Sequence, residues 1–177
     1  MPEREDRFIL LQRELELQNI SSFKIWNGII DEQSTVKGIS LAHKQIVQYA
    51  KNSKLPSILI AEDDIKFTDQ GAFDFFLKSI PNVFDLYLGG IIWGEIREDN
   101  SVTDFSGIML YLIHERFYDA FLDISKSYHL DRSLKNKGRF IVCNPMVAIQ
   151  HNGLSDNSKR MMNYEVYLKG KKLYRRG

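Results

Sequence analysis

The protein has 177 residues, of which 44% are hydrophobic and 27% are charged, and this composition excludes a wholly disordered chain. Its 24 Lys and Arg residues nearly balance its 23 Asp and Glu residues and leave a net charge of +1, which argues against a protein that binds nucleic acid by charge alone. The single cysteine, Cys143, excludes an internal disulfide and a zinc site with paired cysteines. One lone cysteine is typical of a reducing, cytoplasmic compartment.

The length and the two ends indicate one α/β domain over residues 1–165, followed by a basic C-terminal tail over residues 166–177. The N-terminus is charged and lacks the apolar core of a secretory signal, and no apolar run is long enough to span a bilayer. The tail is either a solvated segment or a weak attachment to an anionic membrane surface at its cytoplasmic face.

The first half of the chain contains two predicted helices and two predicted strands. Residues 4–18 have apolar side chains at helical spacing and predict an amphipathic helix, and residues 37–51 predict a second one. Alternating apolar and polar residues at 23–26 predict a short strand. Residues 57–61 are almost entirely apolar, which is typical of a strand buried on both faces of a sheet.

The second half continues the alternation of helices and strands. Helices are predicted over 71–79 and 115–127, and strands over 85–92, 108–113 and 138–143. Together these elements predict an α/β fold, in which a mixed sheet carries helices on its faces.

Three consecutive acids, Glu62, Asp63 and Asp64, follow the predicted strand at 57–61. Ligands of α/β sheets bind beyond the carboxyl ends of the strands, and crowded carboxylates repel each other unless a cation neutralises them. Glu62 and Asp64 point to the same side of an extended segment, so a divalent cation such as Mg²⁺ or Mn²⁺ is one interpretation. A solvated acidic turn is the other.

The segment ILIAEDD at 58–64 resembles the receiver domain of response regulators, in which acids hold Mg²⁺ beside a phosphorylated aspartate. That family has the motif near its N-terminus and a further aspartate after a later strand. Here more than fifty residues precede the motif, and Gly89-Gly90 stands where the phosphorylated aspartate is expected. We therefore disfavour this interpretation.

A second resemblance extends over some 150 residues. The chain is similar to glycosyltransferase family 25, which is associated with lipopolysaccharide biosynthesis and collagen galactosylation. The matching segments follow in the family's order: the arginine segment at 3–7, GISLAH at 38–43, ILIAEDD at 58–64, the strand at 85–90, SGIMLYLI at 106–113, HLD at 129–131 and PMVAIQHNGLSD at 145–156. The resemblance implies a GT-A-like fold with a mixed, mostly parallel sheet flanked by helices.

The resemblance also implies a reaction. Such an enzyme transfers a hexose, for example from UDP-galactose, to a glycan acceptor such as a lipopolysaccharide oligosaccharide, with Mn²⁺ or Mg²⁺ as cofactor. The predicted metal ligands are Asp64, Glu62 and His151, and the predicted donor-binding residues are Arg4, Arg7, His43 and Asp63. The alternatives are solvated helix charges for Arg4 and Arg7, core packing for His43 and a surface loop position for His151.

Two aspartates are candidates for the base that accepts the proton of the acceptor hydroxyl. The same resemblance places Asp131 in an acceptor-side position, and Asp156 is a second candidate. Each has the alternative role of capping a following helix. Trp93 and Tyr111 are aromatic candidates for stacking on a sugar or base, with core packing as the alternative.

The sequence departs from the family at its N-terminal end. The family begins with an apolar strand before the arginine segment, whereas this sequence starts at Met1. We therefore expect the N-terminal strand to be missing. The second hypothesis is a non-catalytic carbohydrate-binding or partner module derived from the same fold.

Overall fold

A computed structural model describes residues 4–177 of the protein. Glu3, the first residue of the predicted arginine segment, lies outside the described residues. The helices are α1 (Glu5–Leu17), α2 (Thr35–Asn52), α3 (Ala72–Lys78), α4 (Tyr118–Asp123) and α5 (Leu130–Ser133). The strands are β1 (Ser57–Ala61), β2 (Ile65–Phe67), β3 (Leu86–Leu88), β4 (Trp93–Gly94), β5 (Ser101–Val102), β6 (Phe105–Ser106), β7 (Leu110–His114), β8 (Phe140–Val142), β9 (Ala148–Gln150), β10 (Gly153–Ser155) and β11 (Arg160–Met162).

The central sheet has five strands in the order β1-β7-β3-β8-β5. Only β3 and β8 run parallel, and every other neighbouring pair in this sheet is antiparallel. The predicted mixed α/β fold is confirmed, but the prediction of a mostly parallel sheet is wrong. An apolar run indicates burial and not direction, and β7 returns between β1 and β3 without a helical crossover.

Two small pairs of strands lie next to the acidic segment, Glu62 to Asp64. β2 pairs antiparallel with β9, and β10 pairs antiparallel with β11 in a hairpin directly after β9. The chain leaves β1, passes through Glu62, Asp63 and Asp64, and enters β2. The acids therefore lie between the central sheet and the β2–β9 pair, beside the hairpin.

The core is divided into two apolar clusters. One includes Val47 and Ala50 of α2, together with side chains from β3, β7 and β8. The other includes Ile65 and Phe67 of β2 and Phe76 of α3. All five residues are almost fully inaccessible to solvent. Burial of apolar area is therefore the main force that stabilises both clusters.

Most predicted elements are present with shifted ends. The helices at 4–18, 37–51 and 71–79 correspond to α1, α2 and α3, and the strand at 57–61 coincides with β1. However, β1 is an edge strand of the sheet and only its Ile60 is buried, so its predicted burial on both faces is wrong. The predicted helix at 115–127 is a 3₁₀ helix, Glu115–Phe117, followed by the short α4.

The predicted strand at 23–26 is absent from the structure. Residues 21–30 form no regular element, and Phe23 and Ile25 are exposed. The alternating pattern is present in the sequence, but the segment pairs with no neighbouring strand, and a strand without a partner is not stable.

The basic segment at 166–177 lies against the domain. The backbone N–H of Tyr174 donates to the Met146 carbonyl, and Lys171 donates to the carbonyls of Ile91 and Ile92. Arg175 donates to the Thr68 carbonyl. The charges of this segment therefore satisfy backbone acceptors and do not all extend into solvent. None of the helices within residues 4–177 has the length and apolar character to cross a membrane.

Candidate functional site

Helix α1 contacts the protein through a polar face. Arg4 precedes its first turn, and Arg7 and Glu14 follow at spacings of three and seven residues, so the three side chains point the same way. No side chain within α1 is buried, and Phe8 and Ile9 of the helix are exposed. Phe8 therefore does not belong to an apolar face, whereas Leu11 is half-buried and packs against the second apolar cluster. Charged contacts and this partial burial together hold the helix in place.

Arg4 and Arg7 meet the predicted acids. The Nη1 atom of Arg4 lies 3.0 and 2.9 Å from the two carboxylate oxygens of Asp156. The Nη1 atom of Arg7 lies 2.8 Å from Asp63 Oδ1 and 3.2 Å from Asp64 Oδ2. Guanidinium groups offer several donors in one plane, so each arginine offsets the charge of more than one carboxylate.

Asp64 is the most deeply buried acid of the segment, with 8% of its surface exposed. Its Oδ2 accepts a hydrogen bond of 2.7 Å from Gln150, whereas its buried Oδ1 has no hydrogen-bond partner. Burial, and next the charge of Glu62, raise the pKa of Asp64 to about 7 although Arg7 acts in the opposite direction. The site thus contains a carboxylate oxygen that lacks a proton donor or a cation.

His151 lies next to Asp64. Its backbone N–H donates to the Asp64 carbonyl at 2.8 Å. Its side-chain Nε2 is buried without a hydrogen bond, although Glu14 Oε1 lies 3.2 Å away at an angle that forms none. The second oxygen of Glu14 accepts the N–H of Phe67 at 2.8 Å, which fixes the glutamate on β2.

Asp64 and His151 line the same cavity, which has a volume of about 340 Å³. Arg4, Arg7 and Tyr164 also face this space. Burial and the charge of Asp64 raise the pKa of the Tyr164 phenol, so Tyr164 is a neutral hydrogen-bonding group at the cavity wall. The cavity is therefore lined by two ion-paired arginines, a buried carboxylate and an imidazole.

The side chains at this cavity can be compared with those that a divalent cation requires. In the described part of the chain, no group of three or more His, Cys, Asp or Glu side chains is arranged to hold an ion. However, Mg²⁺ and Mn²⁺ are often bound by only one or two protein ligands together with water and substrate phosphates. Asp64 and His151 line one cavity, and their Oδ1 and Nε2 atoms are buried without a hydrogen bond.

Glu62 and His43 pair with each other outside this group. Glu62 Oε1 lies 3.4 Å from Nε2 of His43, and His43 Nδ1 lies 2.8 Å from the hydroxyl of Tyr111. His43 is only 7% exposed. The predicted contact between His43 and a donor molecule therefore has no direct route in this structure.

The two predicted bases are in different environments. Asp131 lies in the first turn of α5, where its carboxylate accepts the N–H groups of Gly107 at 2.9 Å and Arg132 at 2.7 Å. It is therefore a structural acceptor inside α5 and not the cap before it, since His129 is the N-cap. Asp156 precedes no helix either, because residues 156–159 form the turn of the β10–β11 hairpin.

The aromatic candidates also differ. Tyr111 is fully buried in the core, whereas Trp93 is half exposed and carries the guanidinium carbon of Arg132 4.8 Å from its ring centre. Arg132 also pairs with Asp104. Neither aromatic side chain lines the cavity beside α1.

Sequence reasoning missed Glu14, Gln150 and Tyr164 as parts of this site. The spacing of Arg4, Arg7 and Glu14 in the sequence is a helical period of charged residues, and it contained the signal for Glu14. Gln150 and Tyr164 have no comparable signal, because their positions depend on the pairing of β2 with β9 and on the chain path after β11.

No family model matches the chain, and no curated protein matches it. Two solved structures of HddC from Yersinia pseudotuberculosis are similar at low identity. The first has 13% identity and a TM-score of 0.45 over 76% of this chain and 64% of that chain. The second, complexed with GMP-PN, has 15% identity and a TM-score of 0.43 over 77% of this chain. The chain spans 64% of the length of each, and at these TM-scores the likeness assigns no activity.

Proposed function

We propose that the protein is a glycosyltransferase that uses a nucleotide-sugar donor, with the donor diphosphate bound in the cavity beside α1. One observation supports this proposal above the others. Arg4 and Arg7 line the same cavity as Asp64 and His151, whose Oδ1 and Nε2 atoms make no hydrogen bond. Two guanidinium groups suit the oxygens of a diphosphate, and these two atoms suit a divalent cation bound to it.

In this proposal Asp64 and His151 hold Mn²⁺ or Mg²⁺, with Glu62 as a further ligand through water. When bound, the cation would offset the negative charge that develops on the leaving diphosphate. Arg7 keeps Asp63 in place through its 2.8 Å contact, so Asp63 can accept hydrogen bonds from the donor sugar or ribose.

Asp156 is the proposed base of the reaction. It lies 2.9 Å from Arg4 and 3.5 Å from Arg7, and a diphosphate that takes over both arginines would release its carboxylate. The acceptor hydroxyl then gives its proton to Asp156 while its oxygen forms a bond to the anomeric carbon. The bond from that carbon to the diphosphate breaks, and its electron pair leaves with the nucleoside diphosphate.

The proposed substrates follow the resemblance to glycosyltransferase family 25. The donor is a hexose nucleotide such as UDP-galactose, and the acceptor is a glycan such as a lipopolysaccharide oligosaccharide. The basic segment at 166–177 would contribute, at most, weak attraction to an anionic membrane at its cytoplasmic face.

A thermal-shift titration with UDP and UDP-sugars, with and without Mn²⁺, tests the proposal. We expect UDP-galactose with Mn²⁺ to raise the unfolding temperature, and Asp64→Asn and His151→Ala to lose that rise. Asp99→Asn is the matched control, because Asp99 is an exposed acid that does not line this cavity. The absence of a shift with every donor would overturn the proposal.

The alternative is a carbohydrate-binding module without transferase activity. The carboxylate of Asp156 is paired with Arg4, and that of Asp131 accepts two backbone N–H groups, which favours this alternative because neither acid is free to act as a base. Transfer of radiolabelled galactose to a glycan acceptor by purified protein would eliminate it, whereas sugar binding without transfer would support it.

A further inference from the structure

Glu62 is linked to the core by a chain of two buried side chains. We infer that Tyr111 and His43 form a positioning pair that fixes the Glu62 carboxylate at the end of β1, facing the acids of the proposed donor site. The inference about the pair stands on its own contacts, and its consequence for ligand binding rests on the proposed function.

The pair lies between α2 and the central sheet. His43 projects from α2, and its ring stacks on that of Tyr111 with a centroid distance of 5.8 Å and an interplanar angle of 13°. Phe121 of α4 stacks near the other side of Tyr111, with a centroid distance of 6.2 Å. These rings leave little freedom for His43 to rotate, so both imidazole nitrogens have fixed neighbours.

The neighbours determine which nitrogen carries the proton. Tyr111 is completely buried, and burial raises the pKa of its phenol well above the usual value, so its hydroxyl is protonated and must donate. His43 Nδ1, 2.8 Å away, is its hydrogen-bond partner. If Nδ1 accepts this bond, the imidazole proton is on Nε2 and faces the carboxylate of Glu62 at 3.4 Å.

The opposite arrangement has two costs. A proton on Nδ1 would leave the buried Tyr111 hydroxyl without an acceptor, which typically costs about 1–3 kcal/mol. It would also turn the lone pair of Nε2 toward the Glu62 carboxylate. The arrangement with a proton on Nε2 and a free lone pair on Nδ1 suits both neighbours, so the Tyr111 hydroxyl determines the direction in which His43 donates.

Glu62 connects the pair to the acidic segment, because it is the first of the three acids. One of its oxygens contacts His43, and its side chain is 24% exposed. The Ile65 backbone N–H donates to the Glu62 carbonyl at 3.3 Å, so Glu62 and the cavity-lining Asp64 belong to one tight turn. The orientation of Glu62 therefore contributes to the electrostatic field at the position proposed for the cation and diphosphate.

Nitrogen NMR of the ¹⁵N-labelled full chain tests the positioning pair without any ligand. We expect His43 to show a protonated Nε2 and an unprotonated Nδ1 that accepts a hydrogen bond. Tyr111→Phe should produce a mixture of tautomers. Tyr118→Phe is the matched control, because Tyr118 is also buried in the same apolar cluster but donates to the Leu55 carbonyl, and it should leave His43 unchanged. A protonated Nδ1 in the unmodified protein would overturn the inference.

A double-mutant cycle tests the consequence for the site. As the only substitution, Tyr111→Phe should weaken the binding of UDP with Mn²⁺ by roughly 2- to 10-fold. When Glu62→Gln is already present, adding Tyr111→Phe should weaken binding by less than about 2-fold. If the effects of the two substitutions on UDP binding add, the positioning role is overturned, because Tyr111 would then act independently of Glu62. If UDP does not bind at all, the proposed function fails, and the tautomer measurement still decides whether the pair exists.

Discussion

Helices α1 and α2 are neighbours in sequence, but different forces attach them to the protein. The interior face of α2 includes Val47 and Ala50, which are completely buried in an apolar cluster. Helix α1 buries no side chain and is held by Arg4, Arg7 and Glu14. Leu11 of α1 adds a half-buried apolar contact. The helix with the candidate site residues is therefore attached by ion pairs and partial burial, whereas the core helix α2 is attached by exclusion of water.

The attachment of α2 predicts the largest effect. We expect Val47→Asp to lower the free energy of unfolding by about 3–5 kcal/mol, because it places an unpaired charge among apolar side chains. Chemical denaturation would measure the loss. Gln45→Asp, at an exposed position of the same helix, should change stability by less than about 1 kcal/mol. Equal losses in the two variants would contradict the assignment of α2 to the core.

The attachment of α1 predicts a smaller effect that depends on charge. We expect Arg7→Ala to cost about 1–3 kcal/mol, because it leaves the buried Asp64 and the adjacent Asp63 without their shared cation. Arg13→Ala, at an exposed position of α1, is the control and should be nearly neutral. Urea denaturation at low and high NaCl would measure both, and the cost of Arg7→Ala should shrink with salt.

The stability contributed by Asp64, the buried partner of Arg7 in α1, should depend on pH. The pKa of Asp64 rises from 3.8 to about 7 in the folded protein, so between these values the folded state binds more protons than the unfolded state. The contribution of Asp64 is therefore fully present at low pH and is lost as pH rises toward 7 and above. Compared with Asp64→Asn, the unmodified protein should lose on the order of 1–3 kcal/mol of stability over this range. Parallel thermal unfolding profiles for the two proteins would contradict the shift.

The smallest effect is expected on the exposed side of α2. Lys51 pairs with Asp119 of α4, but their side chains are 44% and 81% exposed. Water and salt screen such a pair, so Lys51→Ala should cost less than about 0.5 kcal/mol by denaturant unfolding. A cost equal to that of Arg7→Ala would mean that exposure does not separate the two kinds of ion pair.

The sequence predicted the elements of the fold better than their arrangement. Apolar periodicity placed α2 within a few residues, and a continuous apolar run located β1 at its observed bounds. It failed where a pattern needs a partner: residues 23–26 alternate correctly but pair with no strand. It also failed for strand direction, because β3 and β7 are apolar in either orientation.

The candidate site divides in a similar way. The residue types, together with the resemblance to glycosyltransferase family 25, predicted that Arg4, Arg7, Asp63, Asp64, His151 and Asp156 belong to one site, and the structure brings them to one region. They did not predict that Asp131 would accept two backbone N–H groups. Backbone acceptors and donors become available to a side chain only once the loops around it are folded.

The near-neutral composition and the single cysteine were properties of the sequence alone, as were the helical periods and the acidic segment after β1. Those features depend on local spacing and residue chemistry, which do not change on folding. The tertiary structure alone decided that α1 turns its charged face inward and that Tyr111 lies beside His43. It also decided that Asp64 keeps one oxygen unpartnered. These outcomes depend on contacts between residues far apart in sequence, whose burial and charge exist only in the folded protein.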